Sequence, residues 1–197
     1  MAGHLSNDIA IAAARLVVEE GMEYGPAKRR AARDLRPGAR QADLPGNDEI
    51  EDEVRAYLEL FHADSQPEEL AELRRIAVRW MERLAAFRPH LTGAVWRGTA
   101  TRMNSIRLEL FCDDSKSAEM ALIDMRVDYE VSSTDGPRGR VLDVLNVFER
   151  SAVLGGVVGV SMTVLDYDDL RGALRRDARG RTERGDLAAL RLLLTAP

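Results

Sequence analysis

With 197 residues, 45% of them hydrophobic and 31% charged, the chain is long enough for one domain with an extension and too apolar to be disordered. A formal charge of -5 argues against a broad nucleic-acid coat, although local basic patches remain able to meet phosphates. The single cysteine, Cys112, excludes an intrachain disulfide and fits a reducing compartment. The apolar run from Ile9 to Val18 is interrupted by Arg15, is too short to span a bilayer and carries neither a basic leader nor a small-residue cleavage site. The expectation is a soluble cytoplasmic protein with no membrane partner.

Residues 1 to 87 have a helical period. Asn7-Asp8 are expected to cap a helix that ends at Gly21, and Gly25-Pro26 to open a short basic helix through Leu35. Pro37-Gly38 and Pro45-Gly46 bracket a loop, with Asn47 as the next cap and Asp48 and Glu49 in the first turn. Ile50, Val54, Tyr57, Leu58 and Phe61 predict one buried face. Ser65-Gln-Pro-Glu68 has the spacing of a capping box, followed by a stripe of Leu70, Leu73, Ile76, Ala77, Trp80, Met81 and Leu84. After Pro89 the period changes to two. Ile106, Leu108 and Leu110 alternate with Arg107, Glu109 and Phe111, which predicts a strand with one buried face. A helix is expected over 117–126, a strand over 127–131, a turn at Asp135-Gly136-Pro137, and two strands over 140–149 and 157–165 joined at Leu154-Gly-Gly156. An Arg-rich loop (171–184) and a last helix (186–194) complete an α+β pattern: a helical segment over 1–87, then a small mixed-sheet domain over 88–197.

Within that domain Gly93-Ala-Val-Trp-Arg-Gly98-Thr99 precedes Asn104-Ser105-Ile106-Arg107-Leu108. This stretch resembles the signature loop and strand of the polymerase-beta-type nucleotidyltransferases, and the resemblance extends over roughly residues 65–170. It implies a nucleotidyltransferase-like topology. In that family two aspartates one residue apart, and a third carboxylate on a later strand, hold two Mg²⁺ ions that clamp the attacking and leaving oxygens. The matching positions are Ser105, Arg107 and, on the late strand, Ser161. A neutral hydroxyl is a weak ligand and a guanidinium opposes a cation, so the resemblance implies a scaffold without its chemistry. Arg107 would instead pair with a phosphate, with the glycine turn offering backbone N–H groups. The candidate ligand site is therefore Gly93, Gly98, Thr99, Asn104, Ser105 and Arg107, with no catalytic residue, no metal ligand and no cofactor. The expected ligand is a nucleotide or another phosphate compound, and a protein partner or a homo-oligomer fits equally.

The competing reading is an active enzyme with relocated acids, drawing Mg²⁺ to Asp113, Asp114 or Asp166. Those acids stand at expected turn and helix starts, where capping is the simpler role. Asp168-Asp169 have the same explanation. His4, His62 and His90 lack ligand spacing, and Cys112 reads as a buried thiol ending a strand. The stretch from Leu154 to Gly159 precedes a strand and reads as a hairpin turn. Two basic clusters remain, Lys28, Arg29, Arg30, Arg33, Arg36 and Arg40, and Arg171, Arg175, Arg176, Arg179, Arg181 and Arg184; both read first as solvated or paired faces. The first two helices resemble the start of a TetR-type repressor, but a Pro-Gly loop stands where the next helix belongs. Nucleic acid is accordingly the third reading.

Overall fold

The computed structural model describes residues 2–35, 44–136, 139–171 and 174–195. Contacts divide the chain into two compact units, one of residues 1–68 with 99–104 and one of 69–98 with 105–197.

The helical unit holds α1 (Ala2–Glu20), α2 (Tyr24–Leu35) and α3 (Asn47–Phe61). Its core is built from small side chains, Ala10, Ala13 and Ala14 of α1 against Ala27, Ala31 and Ala32 of α2, filled by Ile9, Val17, Ile50 and Val54. Such residues let helix axes approach closely at little side-chain entropy cost. α1 starts before the cap expected at Asn7-Asp8, which lie within it. Gly21 ends the helix as anticipated, with φ +66°, and an added Cβ would come 2.5 Å from the Met103 carbonyl oxygen. That close approach is one of several ties holding 99–104 to this unit. Thr101 Oγ1 donates to the Val18 carbonyl (3.4 Å) and Gln66 Nε2 to the Ala100 carbonyl (3.0 Å). The cap of α3 is Gly46 rather than Asn47. The Glu49 carboxylate accepts the Gly46 N–H (2.6 Å), and Asn47 Oδ1 accepts from Lys28 Nζ (3.1 Å). Phe61, expected on the buried face, is exposed and packs its ring at 4.6 Å from Tyr57, because the α3 stripe ends at Leu58. Tyr57 in turn donates to Glu19 Oε1 (2.5 Å), and that bond, helped by Arg15, holds the Glu19 carboxyl below its usual range.

The second unit contains α4 (Gln66–Arg83, nearly all of it), β1 (His90–Thr92), α5 (Gly93–Arg97), β2 (Ile106–Phe111), α6 (Ser115–Asp124), β3 (Glu130–Asp135), β4 (Val141–Ser151), β5 (Gly156–Leu165), β6 (Arg184–Gly185) and α7 (Leu187–Thr195). The six strands lie in the order β3-β4-β5-β2-β1-β6. All neighbours are antiparallel except β2 and β5, so the sheet is mixed and the fold α+β.

Alternation sorts the sheet into two faces. Leu91, Ile106, Leu108, Leu110, Leu145, Val147, Val158, Val160, Met162 and Val164 are buried on one face. The α4 stripe is buried too (Leu73, Ile76, Ala77, Trp80, Met81 and Leu84), with Leu70 only half-buried. Trp80 Nε1 donates to Glu149 Oε2 (2.9 Å) and Ser151 Oγ to Glu72 Oε1 (3.2 Å), which ties α4 to β4.

Three local expectations shift. The strand placed at 127–131 is β3, three to four residues later, because Arg126 adopts a left-handed conformation (φ 54°) after α6 and delays the extended run. Phe111, placed on the polar side of β2, is buried edge-on against His90 at 5.3 Å. The glycine segment expected as a turn is the five-residue helix α5, with Gly93 (φ 74°) entering it and Gly98 (φ 82°) closing it. The β4–β5 hairpin at Leu154-Gly-Gly156 is as expected, with Gly155 left-handed (φ 66°). Pro37-Gly38, Arg36, Arg40 and Pro137 lie outside the described residues.

Candidate functional site

The open face of the sheet carries a polar row in hydrogen-bonded register across five strands: Arg184 on β6, Thr92 on β1, Arg107 on β2, Ser161 on β5 and Asn146 on β4. Residues paired across strands share a face, so these five side chains leave the sheet on the same side. Ser161 Oγ donates to Asn146 Oδ1 (2.8 Å), and Asn146 Nδ2 donates to Ser132 Oγ of β3 (2.8 Å). The Arg107–Ser161 pairing sets side by side the two positions where the family resemblance implies carboxylates on neighbouring strands.

One row further along β2 is Glu109, opposite Thr163 of β5. Burial pushes its carboxyl above the usual range, opposed by the guanidinium groups of Arg184 and Arg107. Arg184 Nη1 donates to Glu109 Oε2. A cleft of about 440 Å³ lies over these residues, walled by Thr134 to Gly136 at the end of β3 and by Asp169 and Arg171. Asp169 is matched by Arg140 (2.5 Å). In the other direction along the face, Gly159 lies between Ser105 and Phe148. An added Cβ would stand 3.2 Å from Ser105 Oγ and 3.8 Å from the ring of Phe148, a residue that is 60% exposed. An aromatic ring thus flanks the polar row over a floor that lacks a side chain.

The six sequence-derived site residues divide. Gly93 and Arg107 meet: a Cβ on Gly93 would stand 3.3 Å from Arg107 Cδ, so the glycine makes room for the aliphatic stem of the arginine. Ser105 is exposed immediately before β2, beside Gly159 on that face. Gly98 faces elsewhere, with Arg74 Nη2 at 3.4 Å from its would-be Cβ. Thr99 is buried, and Asn104 staples its own turn by accepting the Thr101 N–H on Oδ1 (2.9 Å); both belong to the helical unit. The sequence does not single out Glu109, Thr163 or Phe148 for a site, and it marks Arg184 only as one of the basic tail residues. Glu109 has a local signal, since it follows Arg107 by two residues in the same strand phase. The other three reach the face only through pairing.

Gly93→Ala is expected to cost about 1–2 kcal/mol, since an L-residue must take a left-handed backbone and displace Arg107. Thermal denaturation checks the magnitude; a variant as stable as the parent would remove the packing role assigned to Gly93.

Ser105, Arg107 and Ser161 offer two hydroxyls, one of them already bonded to Asn146, and a fixed cation. This donor set does not fit a divalent ion that wants hard, anionic oxygens. The acids proposed to replace it sit beyond the far end of β2, whose last residue, Phe111, is about 13 Å along the strand from Arg107. Asp114 Oδ1 accepts the Lys116 N–H (3.0 Å) at the start of α6, and Asp166 Oδ1 accepts the Asp168 N–H (2.9 Å) at the start of a 3-10 turn over 167–170. Both are capping roles. Burial, then Asp114, Asp113 and Asp166, push the half-buried Cys112 thiol above its usual range. Among the described residues no three His, Cys, Asp or Glu side chains are grouped to hold a metal ion. No described helix is long and apolar enough to cross a membrane.

The basic clusters are largely engaged. On α2, Arg30 pairs with Glu20 (2.5 Å) and Lys28 bonds Asn47, while Arg29 and Arg33 are exposed. In the tail, Arg181 pairs with Asp177 (3.2 Å) and Arg176 Nη1 donates to the Gly180 carbonyl (2.6 Å).

Fold and site define an α+β domain whose mixed sheet keeps one polar, open face. No protein-family model and no curated protein matches the chain. Among solved structures it is similar to the Cid1 poly(U) polymerase bound to MgGTP, to the UTP analogue UMPNPP and to its short product ApU, at 12–13% identity and TM-scores of 0.34–0.35. The likeness covers 48–51% of this chain and 30–32% of that one, so the chain spans about a third of the polymerase. A likeness at this level assigns no residue a role.

Proposed function

We propose that this chain binds a phosphate-bearing ligand, a nucleotide first among them, on the open face of its sheet without carrying out nucleotidyl transfer. The observation that carries the reading is Arg107. It is exposed in the centre of the polar row, beside Ser161 and with its stem against Gly93, where metal-dependent transfer would need carboxylates. A guanidinium there presents paired N–H donors to a phosphate without a bridging metal. Phe148 favours a nucleotide over bare phosphate, because an exposed ring over Gly159 offers a base a stacking partner worth about 1–3 kcal/mol.

Calorimetric titration with ATP and GTP, with and without Mg²⁺, tests the proposal. Binding is expected in both conditions and is expected to disappear in Arg107→Ala. Phe148→Leu should weaken ATP about tenfold or more and leave pyrophosphate unaffected. Heat that appears only with Mg²⁺ would sink the metal-free reading and send the search to acids such as Glu109. Silence in both conditions would remove ligand binding and leave protein assembly as the role to pursue.

A further inference from the structure

Away from the polar face, a second cleft of about 700 Å³ opens between the C-terminal end of α4, the 3-10 turn at 85–87, the 3-10 turn at 167–170 and the start of α7. Its walls are Met81, Ala85, Pro89, Leu170, Leu187 and Ala188. The volume is that of a site for a small organic molecule, and walls of this kind select an apolar body.

The charges at its edge are unevenly committed. Asp186 Oδ1 accepts the Ala189 N–H (2.8 Å), so this carboxylate is occupied as the cap of α7. His90 is buried and its Nδ1 is bonded to the Arg88 carbonyl (2.8 Å), with the ring edge-on to Phe111. Arg88 lies with its guanidinium 4.5 Å over the Tyr167 ring and bonded to the Tyr167 hydroxyl. Its backbone is left-handed (φ 47°), an uncommon conformation for a non-glycine residue and one that gathers at binding sites. Arg175, by contrast, is exposed and has no carboxylate partner among the described residues. The uncommitted charge at the mouth is therefore positive.

We infer that this cleft is a binding site for a small amphiphilic anion, a carboxylate carrying an apolar chain, whose tail lies along Ala85, Leu170 and Leu187 and whose head meets Arg175. The site is separate from the phosphate reading of the sheet face and does not depend on it.

The test is displacement of 8-anilinonaphthalene-1-sulfonate from the natively folded protein by dodecanoate. One saturable site is expected, with dodecanoate competing and dodecyltrimethylammonium, which has the same tail and the opposite charge, failing to compete. Ala188→Trp, at an exposed position on the rim, should fill the cleft and weaken dodecanoate about tenfold or more. Arg175→Glu, also exposed, should do the same by reversing the charge at the mouth. Both variants should keep the parent melting temperature and the parent response to ATP. Equal competition by the cationic amphiphile, or undiminished dodecanoate binding in both folded variants, would overturn the assignment. So would the absence of any saturable dye site.

Discussion

Replacing Gly185 by alanine is expected to destabilise the protein by about 3 kcal/mol, at the upper end of the usual cost of overpacking a core. Gly185 is buried on β6, paired with Leu91 of β1. An added Cβ would fall 2.1–2.7 Å from three carbons of the Trp96 ring. A flexible side chain would swing aside, but this one is rigid and anchored, since Trp96 Nε1 donates to the Thr182 carbonyl (2.7 Å). Relief requires β6 to leave β1, which also draws Arg184 away from Glu109. Urea denaturation gives the loss in midpoint, and a red shift of tryptophan emission in the folded baseline would report the displaced indole. A Gly185→Ala protein within about 0.5 kcal/mol of the parent would mean that the β6 contact is not formed.

Arg184→Met is expected to make stability more dependent on pH, and in a defined direction. Burial already raises the Glu109 carboxyl, while Arg184 is the foremost influence lowering it. Without that cation the carboxyl moves further up in the folded state. An acid whose folded pKa exceeds its unfolded value contributes stability below the unfolded pKa and loses it as the pH rises through the folded one. The variant should therefore be weakest at pH 7.5, by about 2–3 kcal/mol, and should approach the parent as the pH falls through the carboxylate range. The cost sits below that of breaking a fully buried pair because both side chains keep some exposure, 21% for Arg184 and 17% for Glu109. Adding Glu109→Gln should recover most of the loss by leaving no buried charge. Parallel stability–pH curves for parent and Arg184→Met would exclude a coupling between the two residues.

Most elements are legible in the amino-acid sequence. The α4 stripe, the alternation of Ile106, Leu108 and Leu110, the end of α1 at Gly21 and the β4–β5 hairpin at Leu154-Gly-Gly156 all announce themselves within short stretches of chain. Elements that span little more than one period do not. β1 has three residues and β6 has two, and neither repeats often enough to signal. α5 completes little more than one turn between two left-handed glycines, so its sequence reads as a loop.

The site shows the same division. That position 107 holds an arginine and position 161 a serine is a fact of residue identity, and a guanidinium repels a cation wherever it is placed; the sequence by itself determined that much, together with the α+β class. Which side chains stand around Arg107 was decided only by the tertiary structure. Thr99 and Asn104 are close to it in the chain, yet ties to α1 and an internal turn hold them in the helical unit. Ser161, Asn146 and Arg184 are distant in the chain and arrive beside it through parallel and antiparallel pairing. The reason is physical: helical and strand periods are local properties of backbone geometry, whereas register is set by which distant apolar faces must be buried together, and a slip of one residue would have turned Arg107 into the core.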